Sequence, residues 1–174
     1  MEEPAPDAGL DTGPGLAFLL VQLGSHLAQR FAERLGPLGL EPRQAGMLVR
    51  LAQNDGKSQQ AIAELMGLNA TRMVFLTDEL EKLGLVERRR NPADRRTHAL
   101  YLTEAGTAML ARVVEVTGEH EADTAAPLSD AERGQLIALL RRLARAQGLA
   151  GRALPGIPPA HLGRPALGRL CDPD

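Results

Sequence analysis

The feature that most constrains the fold is a change in the spacing of apolar residues at Gly84. Before it, apolar side chains recur three, four and three positions apart, which is the spacing of a helix, at Met73, Leu76, Leu80 and Leu83. After it, residues 85–88 and 98–103 form two short extended segments around an arginine-rich loop with an Asn-Pro turn signal. The sequence therefore predicts a mainly α fold with a small β-hairpin.

A shorter helix is predicted directly before this one. Ser58 can serve as its N-cap, Gly67 closes it, and the next helix starts near Asn69. Its inward residues are predicted to be Ile62, Leu65 and Met66. Two helices joined by a tight turn and followed by a hairpin make a winged helix-turn-helix. A helix about 10 Å across fits the major groove of B-DNA, which is about 12 Å wide.

Further helices flank this unit on both sides. A long amphipathic helix is predicted over 16–35, and Pro42 fits the first turn of a second helix. Thr103 can cap a helix from about 104 to about 123, and the run 129–132 is a capping box that opens a last helix. We therefore divide the chain into a flexible lead-in, a first helix, a winged helix-turn-helix, C-terminal helices and a tail, at 1–13, 14–40, 41–103, 104–147 and 148–174.

The tail holds five prolines and five glycines in 27 residues, which excludes regular structure. Its scattered leucines leave two interpretations, a loose linker or a segment along an apolar groove, and disorder is favoured.

Positive charge is concentrated in one place on an acidic chain. Residues 88–96 carry +4, whereas the whole chain carries −2 and the remainder therefore −6. Such a patch suits phosphate contact, although a solvated arginine-rich loop is an equal alternative.

Composition excludes several classes of function. Four aromatic residues and no tryptophan argue against stacking platforms for single-stranded nucleic acid. One cysteine, Cys171, allows no intrachain disulfide, and a redox-sensing role for it is disfavoured. Without a long apolar run or a positively charged leader we expect a cytoplasmic protein that is not in a membrane. No catalytic motif is present, so we expect no enzyme and no cofactor. An exposed acidic face explains residues 119–123 better than a metal site does.

Four segments together resemble the MarR family of bacterial transcriptional regulators. They are SQQAIAELMG at 58–67, LTDELEKLGLVER at 76–88, PADRR at 92–96 and LTEAG at 102–106. The resemblance covers about residues 14–147. It implies a homodimer whose first and last two helices form the dimerisation body, while two winged domains hold a pseudo-palindromic operator in double-stranded DNA. It also implies a repressor that a small phenolic or anionic ligand releases from DNA.

The resemblance places DNA contacts on two helices and on the wing. On the helix that starts near Asn69, which is the recognition helix of the family, and at the start of the helix before it, the residues are Asn69, Thr71, Arg72, Phe75, Ser58 and Gln59. On the wing they are Arg88, Arg90, Arg95 and Arg96, with Asp94 bracing the hairpin. Arg72 can hold guanine with two hydrogen bonds or can contact only a phosphate, and both options stay open.

A ligand site is expected near the first helix, where polar residues lie four positions apart. The candidates are Gln22, His26, Arg30, Arg43, Met47 and Arg112. An arginine would suit a carboxylate ligand, whereas surface or inter-subunit ion pairs are the favoured explanation of Arg30 and Arg112.

Two other functions stay open. One is a winged helix that binds proteins, and the other is an architectural protein that binds DNA without sequence preference.

Overall fold

The computed structural model describes residues 15–90 and 98–149. It contains helices α1 (Leu16–Leu35), α2 (Pro42–Gln53), α3 (Gln59–Met66), α4 (Ala70–Lys82), α5 (Glu104–Ala125) and α6 (Asp130–Ala146), with strands β1 (Val86–Arg90) and β2 (His98–Leu102) between α4 and α5. A short 3-10 turn, Gly36–Leu38, follows α1. The mainly α fold with a β-hairpin is confirmed. The predictions for the lead-in, for Asp94, Arg95 and Arg96, and for the tail with Cys171 lie outside the described residues.

Most helices begin at a side chain that satisfies a free backbone N–H group. The N-cap side chains of Ser58, Asn69, Thr103 and Ser129 each accept a hydrogen bond from the backbone three residues later. The capping box at Ser129 is confirmed, as is Pro42 in the first turn of α2. These starting points are set locally, which is why the sequence predicted them.

The hairpin is antiparallel, with Val86 opposite Leu102 and Arg90 opposite His98. Its first strand runs two residues further than the predicted extended segment, which ended at Arg88. The continuation occurs because an exposed strand can carry charged side chains as long as a partner strand satisfies its backbone. Ala99 also pairs with Ser58, so the hairpin is joined to the start of α3.

Two glycines with left-handed backbone make the turns on either side of α4. Gly67 (φ 63°) ends α3, and Gly84 (φ 71°) follows the last turn of α4. A residue with a Cβ atom would be strained at either position.

One apolar core lies between the end of α1, helices α2 to α4, the hairpin and the first half of α5. Its largest fully buried side chains include Phe31, Met47, Leu48, Ile62, Leu80 and Leu100. Leu65, which was predicted to face inward, and Leu83, which ends the predicted apolar repeat of α4, are exposed. Each lies near the C-terminal end of its helix, where the rest of the described chain does not cover it.

Two helical faces stay outside this core. The first two turns of α1 expose the apolar side chains of Leu16, Phe18, Leu19, Leu20, Val21 and Leu23. Helix α6 buries no residue within the described chain and exposes Leu136, Leu139, Leu140 and Leu143.

Candidate nucleic-acid interface

Helix α4 has one buried face and one exposed face. Met73, Leu76 and Leu80 are buried, and Thr77 joins them because its hydroxyl donates to the Met73 carbonyl at 2.8 Å. The first two turns expose Thr71, Arg72 and the apolar side chains Val74 and Phe75, and Phe75 is 68% exposed. Folding of the described chain alone does not require a phenylalanine at this place.

Two of the predicted DNA-contacting side chains also start helices. Asn69 Oδ1 accepts from the Arg72 backbone N–H at 2.9 Å, and Ser58 Oγ accepts from the Ala61 N–H at 3.2 Å. Both residues lie at helix N-termini, where the helix dipole has its positive end. A phosphate contact there would be electrostatically favourable.

Arg88 occupies a different environment from its neighbours on β1. Its guanidinium contacts the carboxylates of Asp78 and Glu81 and the side-chain oxygen of Gln59. The side chain is only 20% exposed. The structure therefore gives Arg88 intramolecular partners where the sequence predicted a DNA contact. Asp78 and Glu81 were not predicted as site residues.

The next two arginines are more accessible. Arg89 pairs with Glu87 and lies over the Tyr101 ring, with its guanidinium carbon 4.7 Å from the ring centroid. Arg90, at the end of β1, is exposed. Of the two predicted wing contacts that the structure describes, Arg90 is thus the one that is accessible to DNA.

The candidate ligand residues do not form one cluster. Gln22, His26, Arg30 and Arg112 are exposed on α1 and α5. Arg43 pairs with Glu41 at 2.9 Å and with Glu79 at 3.4 Å, so it joins the start of α2 to α4. Met47 is fully buried in the core, where its neighbours are protein side chains.

A polar junction between α1 and α5 was not predicted. Arg34 pairs with Asp123 and lies 3.7 Å from Glu119, and the His120 ring packs on Phe31 with 5.3 Å between centroids. Burial, followed by the positive charges of Arg34 and Arg30, lowers the pKa of His120. The sequence signal that could have predicted this junction is Arg34 in the last turn of α1 together with the acidic residues Glu119 and Asp123 on α5.

Ion pairs with two arginines account for the acidic residues at 119–123. Glu121 bonds Arg133 of α6 at 2.8 Å, while Glu119 and Asp123 face Arg34. Across residues 15–90 and 98–149, the structure brings together no group of His, Cys, Asp or Glu side chains suited to a metal ion. Within the same residues, no helix combines the length and apolarity that crossing a membrane requires.

The exposed face of α4, the tight turn before it and the hairpin after it define a winged helix-turn-helix protein. A family model described as MarR family matches residues 38–97. The solved structure of the transcriptional repressor CouR bound to a 23-mer DNA duplex is 33% identical, covers 75% of this chain and 93% of that chain, and has a TM-score of 0.70. The chain belongs to the MarR family of transcriptional regulators, whose members are not enzymes.

Two further relatives have ligands or targets in their names. A Thauera aromatica protein named as a transcriptional regulatory protein for the hcr operon is 42% identical over 107 residues, covering 62% of this chain. The chain spans 64% of that relative's length, which is less than two thirds. The structure of CouR from Rhodococcus jostii RHA1 bound to p-coumaroyl-CoA is 29% identical, covers 74% of this chain and 90% of that chain, and has a TM-score of 0.63.

Proposed function

We propose that the protein is a dimeric repressor that binds a pseudo-palindromic operator in double-stranded DNA and acts in the cytoplasm. The observation that carries this proposal is the exposed face at the start of α4, where Thr71, Arg72 and Phe75 project beside the arginine-bearing strand β1. The similarity to CouR, which was solved on a DNA duplex, supports it.

Base readout is assigned to α4. Arg72 can donate two hydrogen bonds to guanine, and Phe75 can contact a thymine methyl group in the major groove. Because Phe75 is exposed and apolar, covering it with DNA would remove apolar surface from water. Thr71, Asn69, Ser58 and Gln59 supply further polar groups near the same helix starts.

Backbone contact is assigned to the wing. Arg90 is exposed on β1, and Arg95 and Arg96 follow in the sequence of the hairpin loop, with Asp94 as a brace. Arginines in such a loop would meet phosphates or a narrow minor groove, where the potential is most negative.

The uncovered apolar faces support a homodimer. Helix α6 buries nothing within the described chain, yet it carries four exposed leucines on one stripe. The start of α1 likewise exposes a run of large apolar residues. Packing both faces against a second copy would cover them, and a twofold dimer presents two α4 helices to half-sites one helical turn apart.

A small-molecule effector is proposed from the exposed arginines near the α1–α5 junction. Arg30 is exposed on α1, and its charge acts on His120 of α5. An anionic or phenolic ligand there would tie these helices together and change the separation of the two winged domains. The p-coumaroyl-CoA complex of CouR supports a ligand of this class.

The test of DNA binding is selection from a random 30-base-pair library with the full-length protein, followed by affinity measurements on the enriched duplex. Arg72→Ala is expected to relax the base preference at one position of the site. Arg90→Ala is expected to weaken binding to all duplexes and to lower the salt slope, which is the dependence of log affinity on log salt concentration, by about 0.9. Arg141→Ala, on exposed α6, is the control. Enrichment of no motif with retained salt-sensitive binding would indicate an architectural protein, and no binding at all would leave a protein-binding module.

The effector is tested on the same enriched duplex. We expect p-coumaroyl-CoA or free p-coumarate to release the protein from DNA, and Arg30→Ala to reduce that release without changing affinity in their absence. Release that is equal in the variant would remove Arg30 from the ligand site.

A further inference from the structure

We propose that Arg88 is a positioning residue that holds the recognition helix, the wing and the start of α3 in one fixed arrangement. The proposal rests on the DNA-binding function proposed above. It assigns to Arg88 an indirect role, in which the side chain sets the separation between two DNA-contacting elements and does not contact DNA.

The contacts of Arg88 join three elements, its own strand β1 and the helices α3 and α4. From β1, Nε donates to Gln59 Oε1 at the start of α3 at 3.1 Å, and Nη2 donates to Asp78 Oδ1 on α4 at 2.6 Å. The third nitrogen, Nη1, bonds Glu81 Oε2, also on α4. The backbone N–H of Arg88 donates to the other oxygen of Glu81 at 3.0 Å. Glu81 therefore binds both the main chain and the side chain of Arg88.

Local charge argues against a phosphate contact for Arg88. Its one positive charge faces the two carboxylates of Asp78 and Glu81, so the cluster has a net charge of −1 and repels a phosphate. Its side chain is 20% exposed, compared with 59% for Arg89 on the same strand. All three guanidinium nitrogens have acceptors within the protein.

The geometry of the guanidinium is what this role needs. A planar fork of donors can bond three acceptors in fixed directions, whereas a lysine ammonium is a point charge at the end of a flexible chain. Because α4 and the wing would contact different grooves, they must be held at a fixed separation. If β1 were mobile, fixing it on DNA would cost part of the binding free energy.

The first test uses the duplex enriched by the wild-type protein. Arg88→Lys and Arg88→Met are expected to bind it about tenfold more weakly, a size typical of residues that act on a site without touching the ligand. Their salt slope should equal that of the wild type, whereas loss of a phosphate contact would lower it by about 0.9. A lowered slope, or full affinity in Arg88→Lys, would overturn the proposal.

The second test separates a positioning role from an effect of charge, because the two predict opposite changes in DNA affinity. Removing both acids in Asp78→Ala/Glu81→Ala takes away two negative charges near DNA, which by electrostatics alone should tighten binding. We expect weaker binding, because Arg88 loses its anchors on α4. Tighter binding would overturn the proposal. Arg89→Met is the matched control for loss of an arginine from the same strand, and it should keep the relative positions of α4 and β1.

A third measurement needs no DNA, so it stands even if the proposed function fails. Amide hydrogen exchange of the full chain should rise in β1 and in the first turn of α3 in Arg88→Lys, and stay unchanged in α2 and in the first half of α5. The same peptides in Arg89→Met should match the wild type. Unchanged exchange in β1 and α3 would contradict the positioning role, whereas failure of the wild type to bind any duplex would remove only the proposed function.

Discussion

Gly106 is expected to tolerate no side chain, although it lies inside a helix where alanine is normally better. A Cβ atom on this residue would stand 1.9 Å from the carbonyl oxygen of Leu85 and 2.9 Å from its carbonyl carbon. That oxygen also accepts the Thr103 backbone N–H at 3.1 Å. Since the obstacle is backbone, α5 or the base of the wing must move by more than about 1 Å to restore ordinary contact.

The sign of the effect follows from two opposed magnitudes. Replacing glycine by alanine inside a helix gains up to about 1 kcal/mol, whereas overpacking a filled site costs about 1–3 kcal/mol or more. The clash with rigid backbone places Gly106→Ala at the upper end of that cost. The net loss is then about 2 kcal/mol, or a fall in melting temperature of about 4–8 °C for a chain of this size.

Gly118→Ala is the control in the same helix. A Cβ atom there meets nothing within 4 Å among the described residues, so this variant should be stabilised by up to about 1 kcal/mol. Thermal unfolding of both variants is followed by circular dichroism at one fixed protein concentration, because association shifts the midpoint. If Gly106→Ala melts at or above the wild-type temperature, the argument from close packing is wrong.

Four further variants test the cap of α5, the apolar face of α6 and the partly buried histidine of α5. Thr103→Ala should lose about 1–2 kcal/mol of unfolding free energy, because the hydroxyl caps α5 and also donates to the Gly84 carbonyl at 2.7 Å, and Thr103→Ser should retain most of it in urea unfolding. Leu139→Glu should shift the protein toward a smaller species in light scattering, and an unchanged mass would refute the assignment of α6 to the dimer. Because the folded pKa of His120 lies below its ordinary 6.5, its contribution to stability is present above that pH and is lost as pH falls through the folded value. His120→Gln should flatten this acid-side decline in denaturation curves, and a decline of the same steepness would contradict it.

The sequence predicts well where each helix begins, because caps act within one turn. Ser58 and Thr103 were identified as caps from residue type and position alone, and Asn69 as an approximate helix start; each accepts a backbone hydrogen bond from three residues later. Burial was less predictable near helix ends. Leu65 and Leu83 fit the apolar spacing but are exposed, since spacing says which side a residue is on and not whether another element reaches it.

The site was predictable in its elements and less so in its contacts. The exposed face of α4 follows from periodicity, whereas the environment of Arg88 depends on residues 7, 10 and 29 positions away. Asp78 and Glu81 lie on α4 and Gln59 lies on α3, so these contacts depend on how two helices pack against β1. A count of arginines in 88–96 cannot separate one that is held inside the protein from one that is available to DNA.

The close packing of α5 on the base of the wing has a mechanical consequence. Thr103 alone separates β2 from α5, and Gly106 leaves no gap against Leu85, so the hairpin and the first turns of this helix turn together. With 22 residues, α5 is a rod about 33 Å long. Tilting its far end by about 5° would carry the wing through about 3 Å, close to the rise of one base pair along the duplex. A small change in the tilt of α5 at the proposed dimer contact would thereby be enough to move the wing out of register with the DNA.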